Sequence, residues 1–350
     1  MTQNETSATT ATASTPPPTP ASPQPPTPGG AADRPRRAWQ PSLVVYAAPV
    51  ILFLLVGLKL PSILSKSGLL SVLVLAAVLG IAAIGQTLAI LIAGVDLSIP
   101  ATMGLANVLV TTLTLAKWSF LSICVLLAVL SVIIGIVNGA LSSLFNLHPL
   151  VVTLGTGAVI TGGILEHTHG DTGGVVPGFI TDAVSPLGTT LGLPLPLSVV
   201  VWVLLSVVIL LMERRSTIGR RIFALGANPT AARLSLVNPL ATRIVVYTIA
   251  AACASVSGVL LAGFSGGASV NIGQPYLFST ITAVVVGGTA LIGGRGGYGR
   301  TIAGVFITIE VQTLLIGLRV GASMQQVFLG LIILVLVTIY GRERSVAQRI

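Results

Sequence analysis

The stretch RRSTIGRRIFALGANPTAARLSLVNPLATR, residues 214–243, holds six of the chain's eighteen basic residues: Arg214, Arg215, Arg220, Arg221, Arg233 and Arg243. It interrupts a chain that is 53% hydrophobic and 8% charged, with a mean hydropathy of +0.97. Soluble domains carry roughly 25% charged residues, so this composition describes an integral membrane protein. The net charge of +9 alternates with Leu-, Val- and Ile-rich runs, a pattern that topology explains better than nucleic-acid binding. The hydrophilic stretch is then a connection between membrane-crossing runs, and it orients the rest.

Outward from it, the sequence predicts an all-α protein of about ten transmembrane helices. A bilayer core of about 30 Å needs roughly 17 to 25 apolar residues per helix. The runs that qualify are 43–60, 69–93, 97–116, 118–138, 150–165, 195–212, 244–264, 276–292, 301–318 and 320–340. The run 97–116 is weakened by Pro100, Gly104 and Asn107, and 301–318 by Glu310 and Gln312. With both termini cytoplasmic, Arg34, Arg36, Arg37, the six arginines of 214–243, Arg295, Arg300, Arg342, Arg344 and Arg349 fall inside. Only Lys59, Lys66, Lys117 and Arg319 fall outside. That bias selects this orientation over its inverse. The longest external connection, about 166–194, carries Glu166, Asp171 and Asp182 and no Lys or Arg.

Residues 1–40 are rich in Thr, Ala and Pro and can bury nothing, so they read as a disordered cytoplasmic tail. Their basic cluster comes late and leads into a full-length span, unlike a secretory signal peptide. The membrane domain is expected over 41–345, with 346–350 a short tail. Cys124 and Cys253 lie inside apolar runs, where a thiol behaves as a small hydrophobe. His167 and His169 sit near Glu166 and Asp171 in a Gly-containing loop, which reads as a metal site or, more simply, as a solvated loop; no metal ligands are assigned.

In GGRGGYG (293–299), Gly294, Gly296 and Gly299 have the G-x-G-x-x-G spacing. A dinucleotide site would need a strand before it and an acidic residue about 20 positions on, whereas Glu310 comes too early. A tight turn between helices is expected. The three lysines are preceded by Leu, Ser and Ala, so no Gly-Lys-Ser/Thr phosphate loop exists. The chain is therefore expected to bind no cofactor and to catalyse no ATP hydrolysis.

AGVDLSIPATMGLAN (93–107) puts Asp96 and Ser98 just before Pro100. They can cap a helix beginning near Ser98, or face a transport path; broken helices at membrane depth allow both. Glu310 is a carboxylate inside an apolar run, where it must be paired, protonated or turned to a cavity. Asn138, Thr153 and Thr156 pose the same choice more mildly, and helix–helix hydrogen bonding is their default. In the central stretch, Asn228 can cap a short helix with Pro229 in its first position, and that helix could rest on membrane lipid or dock into a partner's groove.

Four segments, GVDLSIPATMGL (94–105), NGALSSLFNLHPLVVTLGTGAVITGG (138–163), STIGRRIFALGANPTAARLSLV (216–237) and GGTALIGGRGGYGRTIAG (287–304), together resemble the permease subunits of bacterial sugar ABC importers of the ribose and xylose type, within the group that includes branched-chain amino-acid permeases. Order and spacing match over about 43–345. The chain departs from the family at Pro100, where glycine is usual, and near Ala290, where serine is usual. The resemblance implies a membrane dimer of permeases, homomeric or heteromeric, in the bacterial cytoplasmic membrane. It implies that a separate cytoplasmic ATPase, which uses the ATP, binds 216–237, and that an extracytoplasmic binding protein delivers the solute. Carried onto this chain, the coupling residues are Gly219, Arg220, Arg221, Gly226, Asn228, Ala231, Ala232 and Arg233. The translocation path is assigned Asp96, Ser98, Asn138, Thr153, Thr156 and Glu310. An ion- or proton-coupled secondary transporter is the alternative; it would leave the basic connection without a purpose.

Overall fold

The computed structural model describes the backbone of residues 43–170, 173–190 and 192–347, and side chains except those of 43, 44 and 339–347. The tail 1–40, Asp171 and 348–350 lie outside the described residues. Thirteen α-helices follow one another among the described residues: α1 (Leu43–Lys59), α2 (Lys66–Leu91), α3 (Ile99–Leu115), α4 (Phe120–Leu144), α5 (Pro149–Thr168), α6 (Gly178–Val184), α7 (Leu197–Arg215), α8 (Thr217–Ala227), α9 (Pro229–Leu234), α10 (Pro239–Ser265), α11 (Tyr276–Val286), α12 (Tyr298–Gly317) and α13 (Ala322–Ala347).

Each of the ten apolar runs contains one helix. Six of them, α2, α4, α5, α7, α10 and α12, are long and apolar enough to cross a membrane; α1, α3 and α11 are shorter apolar helices, and α13 carries an apolar stretch over Ala322–Thr338. The largest departure from expectation is the run 276–292, where α11 stops at Val286. At 11 residues it is about 16 Å long, half a bilayer. Beyond it the chain turns through Gly288, Gly293 and Gly294 at positive φ, a conformation that a Cβ disfavours and that no helix continues.

Helix starts follow local capping chemistry. Ser65 accepts the Gly68 N–H at 3.1 Å, Ser119 that of Ser122 at 3.2 Å, and Asn238 that of Ala241 at 3.1 Å. Pro149 and Pro239 occupy first-turn positions where a missing N–H costs nothing.

The long α10 is the hub, packed against α2, α3 and α4. Contact there is close because glycines meet backbone: a Cβ on Gly85 would lie 2.6 Å from the Ala250 Cα, and one on Gly139 2.6 Å from the Ile244 Cα. Gly258 faces the Met103 carbonyl in the same way, and away from α10 Gly304 of α12 meets the Ala283 carbonyl of α11. Lipid tails are as apolar as leucine, so steric fit rather than expulsion of water holds such helices together. The outward faces remain apolar, with Leu121, Val159 and Leu204 exposed.

Candidate functional site

The central connection folds as two short helices with opposite duties on their two sides. Ser216 accepts the Gly219 N–H at 3.0 Å and so starts α8. Gly219, Ile222, Leu225 and Gly226 recur at three- and four-residue spacing and are buried, while Arg220 and Arg221 are exposed. Asn228 then accepts from the Thr230 N–H at 3.0 Å and the Ala231 N–H at 3.1 Å, with Pro229 in the first turn of α9, as the sequence leads one to expect. Ala232 is buried beneath α9, whereas Asn228, Ala231 and Arg233 are exposed. Leu234 is 83% exposed, and Leu236, just past the helix, is 94% exposed. The exposed surface therefore carries Arg220, Arg221, Arg233 and two leucines. Gly219, Gly226 and Ala232 fit the two helices to the rest of the chain.

Gly226 marks the place of that fit. A Cβ on it would collide with the Leu91 carbonyl and lie 2.6 Å from the Gly294 nitrogen. The Gly294 N–H itself donates to Leu91 O at 2.9 Å. So the end of α8, the end of α2 and the 293–297 turn meet backbone to backbone. That turn is a packing wedge, consistent with the tight turn expected of GGRGGYG.

Directly after α2, the connection 92–98 gathers five of the six candidate path residues. Asp96 is buried, and its Oδ1 accepts the Ser98 N–H at 2.9 Å and the Ser98 hydroxyl at 2.5 Å. The Asn138 amide of α4 donates to Ser98 Oγ at 3.1 Å, and the Thr156 hydroxyl of α5 donates to Asn138 Oδ1 at 2.7 Å. Every link donates toward the carboxylate, which makes the last one charge-assisted. Thr153 Oγ1 accepts the Leu97 N–H at 3.0 Å and lies 3.1 Å from Val95 O, so α5 holds both arms of the connection. Burial pushes the Asp96 carboxyl up from 3.8 to about 6, and the Ser98 hydrogen bonds pull the other way. Ser98 makes no side-chain cap on α3, contrary to the capping expectation, because its backbone is already helical and its hydroxyl faces Asp96 and Asn138 instead of the first-turn N–H groups.

Replacing Asn138, which is fully buried, by leucine is expected to cost only about 1 kcal/mol, because Thr156 can turn its hydroxyl to a carbonyl in its own helix and Ser98 loses just an incoming donor. The readout is a melting shift of about 2 °C in detergent; a drop several times larger would mean that the chain is a folding determinant.

The family pattern described as "Branched-chain amino acid transport system / permease component" matches residues 68–337. The chain belongs to this permease family. The permease is 33% identical over 295 residues to the probable ABC transporter permease protein YphD of Escherichia coli K12, covering 84% of this chain and 87% of that one. It is 31% identical over 306 residues to the ribose import permease protein RbsC of Bacillus subtilis 168, at 84% and 91% coverage. To the D-allose transport system permease protein AlsC of E. coli K12 it is 28% identical over 278 residues, at 79% and 84% coverage. No solved structure matches the chain. The permease is thus a multi-pass bacterial inner-membrane protein, a subunit of a transporter and not its catalytic component.

Glu310 stands apart from the polar cluster around Asp96. It is 2% exposed on α12, and its Oε2 has no hydrogen-bond partner among the described residues. Among the described residues of the permease no group of three or more His, Cys, Asp or Glu could hold a metal ion.

One residue of this region escapes a sequence reading. Glu213, third from the end of α7, is 8% exposed and accepts the Tyr298 N–H, the first of α12, with Oε1 at 3.0 Å and Oε2 at 3.1 Å. Its only sequence signal is a lone carboxylate at the head of an arginine run.

Proposed function

We propose that this permease carries a small polar solute, by family a monosaccharide, across the membrane as one of two permease subunits of an ATP-driven importer. In this reading 41–345 is the membrane domain, the ten apolar runs are ten crossings, that of 276–292 being completed beyond α11 by non-helical chain, and both termini are cytoplasmic. A cytoplasmic ATPase binds the coupling segment 216–237, and an extracytoplasmic binding protein delivers the solute. The observation that carries the reading is the exposed surface of α8 and α9. Two leucines at 83% and 94% exposure beside Arg220, Arg221 and Arg233 have the composition of apolar anchors with a basic rim. Relatives named for ribose and allose import support the sugar. The path is assigned to Asp96, Ser98, Asn138, Thr153 and Thr156, with Glu310 on a separate wall.

The test is uptake of radiolabelled ribose and allose into membrane vesicles that hold the permease, the ATPase that accompanies it and its binding protein. Uptake should require ATP and persist in the presence of an ionophore. Uptake that collapses with the ion gradient, or proceeds without ATP, would remove the importer assignment. Accumulation of neither sugar would remove the solute assignment alone.

A further inference from the structure

Helix α8 is held to the rest of the protein at both of its ends, and the two holds lead to different helices. At its exit, Gly226 is seated on Leu91 and Gly294, against the end of α2. At its entrance, Ser216 both caps α8 and donates back to Met212 O at 2.7 Å, which ties α8 to the last turn of α7. Glu213 belongs to that last turn, and its carboxylate receives the first N–H of α12. A carboxylate at a helix N-terminus gains from the exposed N–H groups and the helix dipole together. The contact continues inward. Trp202 Nε1, on α7, donates to the Tyr298 hydroxyl at 2.7 Å, and that hydroxyl donates to Gly80 O of α2 at 2.9 Å. Tyr298 is fully buried. Glu213 and Tyr298 thus join α7, α12 and α2 into one rigid corner, three residues before the coupling segment begins.

We propose that Glu213 is a positioning residue for coupling: it transmits displacement of the α8–α9 segment to the first turn of α12. The proposal rests on the reading of 216–237 as the ATPase contact. Without the carboxylate, α8 keeps its own cap and its seat on Leu91, so the ATPase still binds, but α12 no longer follows.

Complexes purified from native cells with their accompanying ATPase are compared as wild type, Glu213→Ala and Glu213→Gln. Amide hydrogen exchange at residues 298–302 is read with and without ATP plus vanadate. In the wild type, nucleotide is expected to change exchange there by about threefold or more. In Glu213→Ala the ATPase stays bound and that change disappears. Glu213→Gln, which keeps a neutral acceptor for the Tyr298 N–H, retains part of it. A Glu213 that merely stabilises the fold would raise exchange equally in both nucleotide states and leave the difference intact, which overturns the proposal; a wild type in which nucleotide leaves 298–302 unchanged does the same. If Glu213→Ala does not accumulate in membranes, Glu213→Gln decides: a reduced nucleotide difference supports the proposal and an undiminished one refutes it. A wild-type permease whose associated ATPase does not touch 216–237 in cross-linking defeats the coupling-segment reading itself, and the proposal falls with it.

Discussion

A permease carrying Arg220→Glu and Arg221→Glu together is expected to insert at the wild-type level and to lose its ATPase. Both side chains are exposed, the buried side of α8 consists of Gly219, Ile222, Leu225 and Gly226, and Arg220 reaches the fold through one long, exposed bond from Nη1 to Arg215 O at 3.4 Å, so the fold has little stake in either guanidinium. A basic surface that meets a complementary one instead meets like charge, at a cost of roughly 3 kcal/mol, or about a hundredfold in affinity. Co-purification from detergent, quantified beside membrane levels of the permease, reads the effect. A companion cysteine at Ala231, exposed on α9, should react with an impermeant thiol reagent only in inverted vesicles. Labelling from outside intact cells, or wild-type ATPase recovery with both charges reversed, would end the assignment of 216–237 as a cytoplasmic coupling segment.

Gly226→Ala should be nearly as severe by a different route. The position is helical, so the damage is not backbone strain; the new methyl would occupy the space of the Leu91 carbonyl. Neither backbone can retreat without breaking the bond from the Gly294 N–H to Leu91 O. Overpacking and an orphaned N–H together cost roughly 3 kcal/mol, which lowers the melting temperature in detergent by about 6 °C for a chain of this size. The neighbouring Ala227→Ser, at an exposed position, should change it hardly at all. Equal melting of Gly226→Ala and wild type would show that the three segments do not meet as described.

Much of this architecture is legible in the sequence because lipid imposes a simple rule: a long apolar run must satisfy its backbone internally, and so it is a helix. Helix ends are legible where caps are local, as at Asn228–Pro229. They are misjudged where hydropathy continues past the last hydrogen-bonded turn, as beyond Val286, or fails before it, as at Pro239, where α10 begins five residues ahead of its apolar run. The break at Asp96 could be seen; its partners could not. Asn138 and Thr156 are 40 and 18 residues along the chain from their hydrogen-bond partners, Ser98 and Asn138, and only the packing of α3, α4 and α5 brings them together. Glu213 is the harder case, since its partner is a main-chain N–H 85 residues away, a group every residue but proline carries.

The glycine contacts along α10 also bear on how this protein responds to temperature. Where helices adhere by close backbone fit in a hydrocarbon solvent, separating them exposes little apolar surface to water, and the heat-capacity increment of unfolding comes largely from such hydration. The stability curve of the membrane domain should therefore be shallow, with little of the curvature that drives water-soluble proteins toward cold denaturation. Chilling would spare it, whereas replacing lipid with a short-chain detergent, which alters the medium that fills the space between helices, would strike at what holds it together.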